Sequence, residues 1–222
     1  MNADVCAVAC AELFRDDGEI LVSPMGTVPR LGALLARRTF APNLLLSDGE
    51  ALLVDGNVIE GWMPFRQVFD VVAAGRRHVV MGANQIDRYG NQNISAIGPH
   101  AQPTRQLLGV RGAPGNTVNH RTSYWVPRHS PRVFVPKVDV VSGVGYDRAV
   151  GPFHDVYRVV SDLGVFDFDS PDHGMRLVSV HPGVSVDDVI AATGFPLHVN
   201  EAVETRMPTD AELTILRELD PA

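Results

Sequence analysis

The sequence predicts an α/β fold in which a mostly parallel sheet is covered by helices and continues into a β-meander. Three observations lead there. Up to Gly82, short apolar runs suited to buried strands alternate with stretches of helical periodicity. Those runs stop at glycine or at Asp-Gly, the punctuation of strand ends facing a ligand side. Beyond Tyr157, strand-like runs follow one another with only turn residues between them. With 222 residues, 45% of them apolar, the chain is read as a single domain over residues 1–222 with a sizeable core, which excludes disorder as its main state.

The elements follow in order. Residues 3–16 have helical periodicity, and Cys6 and Cys10 within them are read as two small core residues of one helical turn. Glu19–Val22 is a strand, Leu31–Thr39 a helix ended before Pro42, and Leu44–Ser47 a strand that stops at Asp48-Gly49. Phe65–Ala74 reads as a helix with Gly75 just beyond, and His78–Met81 as a strand ending at Gly82. Ser123–Val126, Arg132–Val135 and Val138–Val141 are short β-like runs among prolines and glycines. Tyr157–Val160, Val165–Phe168 and Met175–Val180 form the meander. Two closing helices begin at Ser185-Val-Asp-Asp188 and Thr209-Asp-Ala-Glu212, where a cap oxygen and a carboxylate three residues on satisfy free amides.

Composition narrows the function classes. No apolar run approaches the roughly 20 residues of a membrane span, and the N-terminus has no basic region ahead of an apolar one, so a cytoplasmic protein is expected. The net charge of −7 hides an asymmetry: residues 88–138 hold no carboxylate and sum to +7, leaving −14 on the rest. This band (Arg88, Arg105, Arg111, Arg121, Arg128, Arg132, Lys137) suits an anionic ligand or an acidic partner surface, or reflects a coding preference for arginine, since Lys137 is the only lysine. Nucleic acid is not expected of so acidic a chain without a reader motif. A Gly-x-Ser-x-Gly elbow, a Walker loop, His-Glu-x-x-His and Cys-x-x-Cys are all absent, and the eight histidines show no ligand spacing, so no metal is expected. His78, His100, His129 and His198 are read as structural or surface residues.

Two segments suit chemistry at strand ends, where open α/β sheets bind ligands. Leu44–Glu50 delivers Asp48 and Glu50 at the end of an apolar strand, either as a nucleophile or general base or as an ordinary Asp-Gly turn. Met81–Asn93 is the second. Its small residues Gly82 and Ala83, with Asn84, let a substrate approach backbone amides as an oxyanion site requires. Asp87, Arg88 and Asn91 add more polar specificity than a turn needs, although Asp87 with Gly90-Asn91 also fits a hairpin.

Gly82-Ala-Asn-Gln-Ile-Asp-Arg-Tyr-Gly-Asn-Gln-Asn93 resembles the Gly-Ala-x-Gln-Val-Asp-x-x-Gly-Asn-x-Asn block of the β subunit of class I coenzyme A transferases of the glutaconate type. The likeness continues through Arg158–Phe168, His181–Phe195 and Pro208–Arg217, nearly the whole chain. Within that family, Val5–Arg15, Glu60–Phe65, Arg111–Asn116 and Asn119–Val126 are most similar to the branch that cleaves a ring in cholesterol breakdown. The family's transferases carry Ser-Glu-Asn-Gly, whose glutamate takes up the acyl group and then the coenzyme. That motif falls on Ser47-Asp48-Gly49-Glu50, with the shorter Asp48 at the glutamate position. Displacing a nucleophile by about 1 Å costs on the order of 100-fold, which speaks against covalent transfer.

The resemblance therefore implies a β subunit of a heteromeric hydrolase that opens the last steroid-derived ring of a cyclic keto acyl-CoA, with water activated by a glutamate of the partner α subunit. It implies no cofactor, because the substrate itself carries coenzyme A. It also implies a partner, since the glycine-rich coenzyme block of the α half is absent and the chain is expected to be half an active site; by resemblance the pair assembles as α₂β₂. Gly82, Ala83 and Asn84 are the expected oxyanion donors, and Arg88 or another arginine of the band is expected on a substrate carboxylate. A CoA transferase using Asp48 or Glu50, and a scaffold subunit without chemistry, remain the alternatives.

Overall fold

The computed structural model describes residues 3–49, 51–64, 67, 70, 76–148 and 151–220. The chain clusters into two compact units, Met1–Met81 with Arg206–Ala222, and Gly82–Thr205. Among the described residues no helix is long and apolar enough to cross a membrane.

The first unit is built on three parallel strands in the order β5 (Arg77–Gly82), β1 (Leu21–Pro24), β2 (Leu45–Leu46). Leu21 and Val22 pair with Leu45 and Leu46 on one side and with Arg77 and His78 on the other. Helix α1 (Ala3–Glu12) buries every residue from Val5 to Ala11, so its helical run is a core element throughout. Cys6 and Cys10 lie inside it without a disulfide, and burial raises the Cys10 thiol far above its ordinary range. Helix α2 (Thr27–Thr39) crosses α1 at Gly32, where a built Cβ would stand 2.7 Å from Cys10 Cβ and 2.8 Å from the Ala7 carbonyl. Backbone contact of that kind leaves room for hydrogen only.

Helix α2 starts at Thr27, four residues ahead of the expected Leu31, because Pro29 in a first turn removes an amide that has no helical partner anyway. A hairpin absent from the sequence reading follows β2: β3 (Leu52–Asp55) and β4 (Val58–Trp62) are antiparallel, and their turn carries Gly56 at φ 61°. Arg37 of α2 grips it through both oxygens of Glu60, at 3.0 and 3.1 Å. Of the expected helix Phe65–Ala74 only Gln67 and Asp70 are described, both helical; the rest lies outside the described residues. Helix α5 (Asp210–Leu219) closes this unit, and Arg206 joins its Glu212 to Glu12 of α1.

The second unit orders its strands β14 (His198–Glu204), β13 (Arg176–Val180), β12 (Gly164–Asp167), β11 (Asp155–Ser161), β10 (Arg121–Val126). The expected meander is β11–β12–β13, antiparallel throughout, while β10 with β11 and β13 with β14 are parallel. Helix α4 (Val186–Ala191) lies between β13 and β14 in the chain and starts at a complete capping box of Ser185 and Asp188; Thr209 and Glu212 form the same device at α5. Two two-residue pairings decorate the unit, between β6 (Gln85–Ile86) and β7 (Gln92–Asn93) and between β8 (Ala96–Ile97) and β9 (Arg105–Gln106), and single bridges join Ile86 to Phe134 and Gln92 to Gly143. Helix α3 (Ala113–Asn119) opens with a proline early in its first turn.

Two expected β-like runs do not become strands of a ladder. Arg132–Val135 begins as a turn in which the Val133 and Phe134 amides both donate to the Ser130 carbonyl, and it keeps a single parallel bridge from Phe134 to Ile86. Val138–Val141 is irregular. Their apolar side chains serve the core instead: Phe134 is fully buried and its ring stacks on His129 at 3.5 Å between centroids.

Candidate active site

Parallel pairing sends the C-terminal ends of β1, β2 and β5 to one edge of the first unit, the side on which such sheets bind ligands. Ser47-Asp48-Gly49 leaves that edge as a tight turn. Asp48 Oδ1 accepts the amides of Ala51 (2.9 Å) and Leu52 (3.1 Å), and the Asp48 amide donates to the Leu52 carbonyl at 2.9 Å. Gly49, at φ 92°, completes a backbone path that a side chain would strain. The Asp48 side chain is exposed and sits on the wall of a cavity of about 640 Å³, together with Gly26 and Thr27 at the start of α2, Arg30 and Arg38.

A buried polar relay underlies this turn. Ser47 Oγ accepts the Gly49 amide at 3.2 Å and lies 2.8 Å from Ser23 Oγ, which in turn accepts from Arg77 Nε at 2.7 Å. Arg77 is 6% exposed, and burial brings its pKa down to about 10. Desolvation disfavours the charged form, so a retained guanidinium here indicates a turn whose position matters. The sequence signal for it is a cation heading an otherwise apolar strand.

In the second unit, the polar block 82–93 folds as a hairpin on which nearly every polar group is used. Asp87 is buried and its Oδ1 accepts the amides of Tyr89 and Asn91, each at 3.1 Å, while both of its oxygens receive Asn91 Nδ2. Burial raises the Asp87 pKa, the Asn91 and backbone hydrogen bonds pull it back, and Asp147 pushes it up again. Asn91 continues the network, donating to Asp147 at 2.8 Å and accepting the Gly145 amide at 2.8 Å. The tip glycine Gly90 has φ 82° and packs so closely that a Cβ would meet Phe168 at 2.8 Å. Asp87 and Asn91 therefore frame the loop, the hairpin alternative left open by the sequence.

Arg88 turns away from this network to Asp172, with which it pairs directly, and lies against Gly174, where a Cβ would approach its Nε to 2.7 Å. His198 Nε2 stands 2.9 Å from the same Asp172 carboxylate. The Gly174 amide first, then Ser170, His198 and Arg88, bring Asp172 down to about 2. The expectation that Arg88 waits for a substrate carboxylate meets a guanidinium already matched by a carboxylate of its own chain.

Of the expected oxyanion donors, the Asn84 amide is engaged by the Asn93 carbonyl at 3.0 Å. Gly82 is exposed and Ala83 half-buried, at the open end of β5. Glu50 lies outside the described residues. Sequence reading passed over three residues that the structure draws into the block: Gln92, whose amide Nε2 donates to the Gly82 carbonyl; Asp147; and Tyr124, whose fully buried hydroxyl finds no partner among the described residues. His78 and His129 are buried, with His78 against Asp17 at 2.6 Å, and among the described residues no three His, Cys, Asp or Glu side chains converge to hold a metal.

Residues 67–192 match the family described as Coenzyme A transferase. The cholesterol ring-cleaving hydrolase IpdB subunit of Mycobacterium tuberculosis is 62% identical over 238 residues, covering 99% of this chain and 95% of that protein. The crystal structure of Rhodococcus jostii IpdAB superposes with a TM-score of 0.92 at 59% identity, over 98% of this chain and 93% of that one. Glutaconate coenzyme A-transferase from Acidaminococcus fermentans superposes with a TM-score of 0.87 at 26% identity, over 100% of this chain and 95% of that one. With a family match across more than half its length, and relatives alike from end to end, this chain belongs to the coenzyme A transferase family.

Proposed function

We propose that this chain is the β-type subunit of a heteromeric hydrolase of steroid catabolism that opens the last ring of a cyclic keto acyl-CoA. The observation that carries this reading is end-to-end identity of 62% with a subunit named for cholesterol ring cleavage. Aspartate at the position of the transferase glutamate supports it. Asp48 is one methylene short, and its Oδ1 is engaged in holding a turn.

In this reading a water adds to the ring ketone, the adjacent C–C bond breaks, and its electron pair passes into an enolate conjugated with the thioester. Protonation of that enolate completes the hydrolysis. The water is activated by a glutamate of the α partner in a cytoplasmic α₂β₂ complex. The β chain contributes the cavity beside Asp48 and hydrogen-bond donors at the end of β5 for oxygens that gain negative charge. A CoA transferase is the second reading, favoured by the shared fold of the glutaconate enzyme.

Asp48→Asn separates the two, because it keeps the acceptor that holds the turn and removes a nucleophile. The purified complex bearing it is expected to open the cyclic CoA ester within a few-fold of wild type. Abolished turnover with an intact complex contradicts the hydrolase reading.

A further inference from the structure

We propose that Gln92 is a positioning residue for this reaction, fixing the Gly82–Ala83 peptide so that the Ala83 N–H meets the thioester oxygen as it becomes the enolate oxygen. The inference rests on the hydrolase reading. A trans peptide is planar, and its C=O and N–H point in opposite directions. Gln92 Nε2 donates to the Gly82 carbonyl at 2.5 Å, which draws that oxygen toward the interior and turns the Ala83 N–H the other way.

The orientation of the Gln92 amide is determined by its partner. A carbonyl only accepts, and the reverse placement would set two acceptors 2.5 Å apart. Gln92 is fully buried, and its Oε1 has no donor among the described residues. An unsatisfied buried acceptor is an expense the fold could shed with leucine, which makes the contact to Gly82 the reason to keep an amide.

The backbone of Gln92 is also held. Its amide donates to the Gly143 carbonyl at 2.9 Å, and its carbonyl accepts the Ser142 and Gly143 amides at 2.7 and 3.1 Å. Gly143 leaves space for the side chain, since a Cβ there would stand 2.9 Å from Gln92 Oε1. On the far side of the peptide, the Asn84 amide is tied to Asn93 at 3.0 Å. The Gly82–Ala83 peptide is thus held at its carbonyl by Gln92, and the Ala83–Asn84 peptide that follows is held at its amide by Asn93, as preorganised donors require.

Gly82 itself is exposed, and a Cβ built on it meets nothing within 4 Å. The fold does not need glycine there; a ligand approaching the backbone does.

The experiment compares wild type, Gln92→Leu and Gly82→Ala, each as the full complex with its partner, using a cyclic keto acyl-CoA. Gln92→Leu is expected to lower kcat about 10- to 100-fold with KM changed less than about threefold, as befits an interaction made in the transition state. Gly82→Ala is expected to leave the thermal midpoint and assembly unchanged and to lower kcat/KM at least about tenfold. Wild-type turnover from both variants overturns the assignment, as does loss in Gln92→Leu that only follows loss of folded complex. An inactive wild-type complex instead overturns the hydrolase reading, and this inference with it.

Discussion

Asp87 receives Tyr89 N, Asn91 N and Asn91 Nδ2 within a buried loop, so its removal strands several donors at once. Each buried donor left without an acceptor costs about 1–3 kcal/mol. Asp87→Ala is accordingly expected to destabilise the chain by about 3 kcal/mol or more in denaturant unfolding, whereas a catalytic role alone would leave stability unchanged. His129 supplies a pH test. Its ring is buried on Phe134, with Nδ1 3.0 Å from Ser161 Oγ and Nε2 3.0 Å from Thr193 Oγ1, and burial lowers its pKa from 6.5 to about 3. The folded ring stays neutral where the unfolded one takes a proton, so the stability it contributes is full above pH 6.5 and is lost as pH falls toward 3. In His129→Gln, the deficit in thermal midpoint relative to wild type should be largest at pH 7 and shrink by pH 4. An unchanged deficit would show that His129 does not titrate this way. At this scale the sequence marked the right block but misjudged its use: Asp87, Arg88 and Asn91 carry polarity that folding consumes, and only the partners of Asn91 at Asp147 and of Arg88 at Asp172, 56 and 84 residues away along the chain, reveal that.

Elements that announce themselves by local chemistry were legible. The capping boxes at Ser185 and Thr209 rest on four consecutive residues each, and both form as read. The meander was legible for the same reason, its turns being local. Strand β14 was not, because His198–Glu204 is half-exposed to exposed along its whole length and lacks the apolar signal of a buried strand. The opposite error, β-like runs expected at Arg132–Val135 and Val138–Val141, came from apolar residues buried without a strand ladder: Phe134 packs on the ring of Phe166 and Val138 is buried in an irregular segment. Gly32 tests the packing of elements. With Cys10 Cβ and the Ala7 carbonyl within 2.8 Å of a built Cβ, Gly32→Val must push α2 off α1, and overpacking of this kind costs typically about 1–3 kcal/mol. The expected result is a lower thermal midpoint for Gly32→Val. An unchanged midpoint would mean that the two helices separate without loss.

For the whole molecule, the net charge of −7 divides into a −14 remainder and the +7 band of residues 88–138. Among the described residues, Arg88 of the band pairs with Asp172 and Arg121 with Asp155. Arg105, Arg128, Arg132 and Lys137 are exposed, and in the proposed reading an anionic thioester or an acidic partner would meet charge of this kind. The family resemblance made the function legible, and the proposed reading places part of the site on a partner subunit. Ring hydrolysis and coenzyme transfer differ in where the oxygen of the product comes from. Run in heavy-oxygen water with no acyl acceptor, the assembled complex should convert the cyclic keto acyl-CoA to a ring-opened acid carrying one solvent oxygen in its new carboxylate. A requirement for an acceptor acid, with no solvent oxygen in the product and hydroxylamine trapping an acyl group on Asp48, would contradict the account.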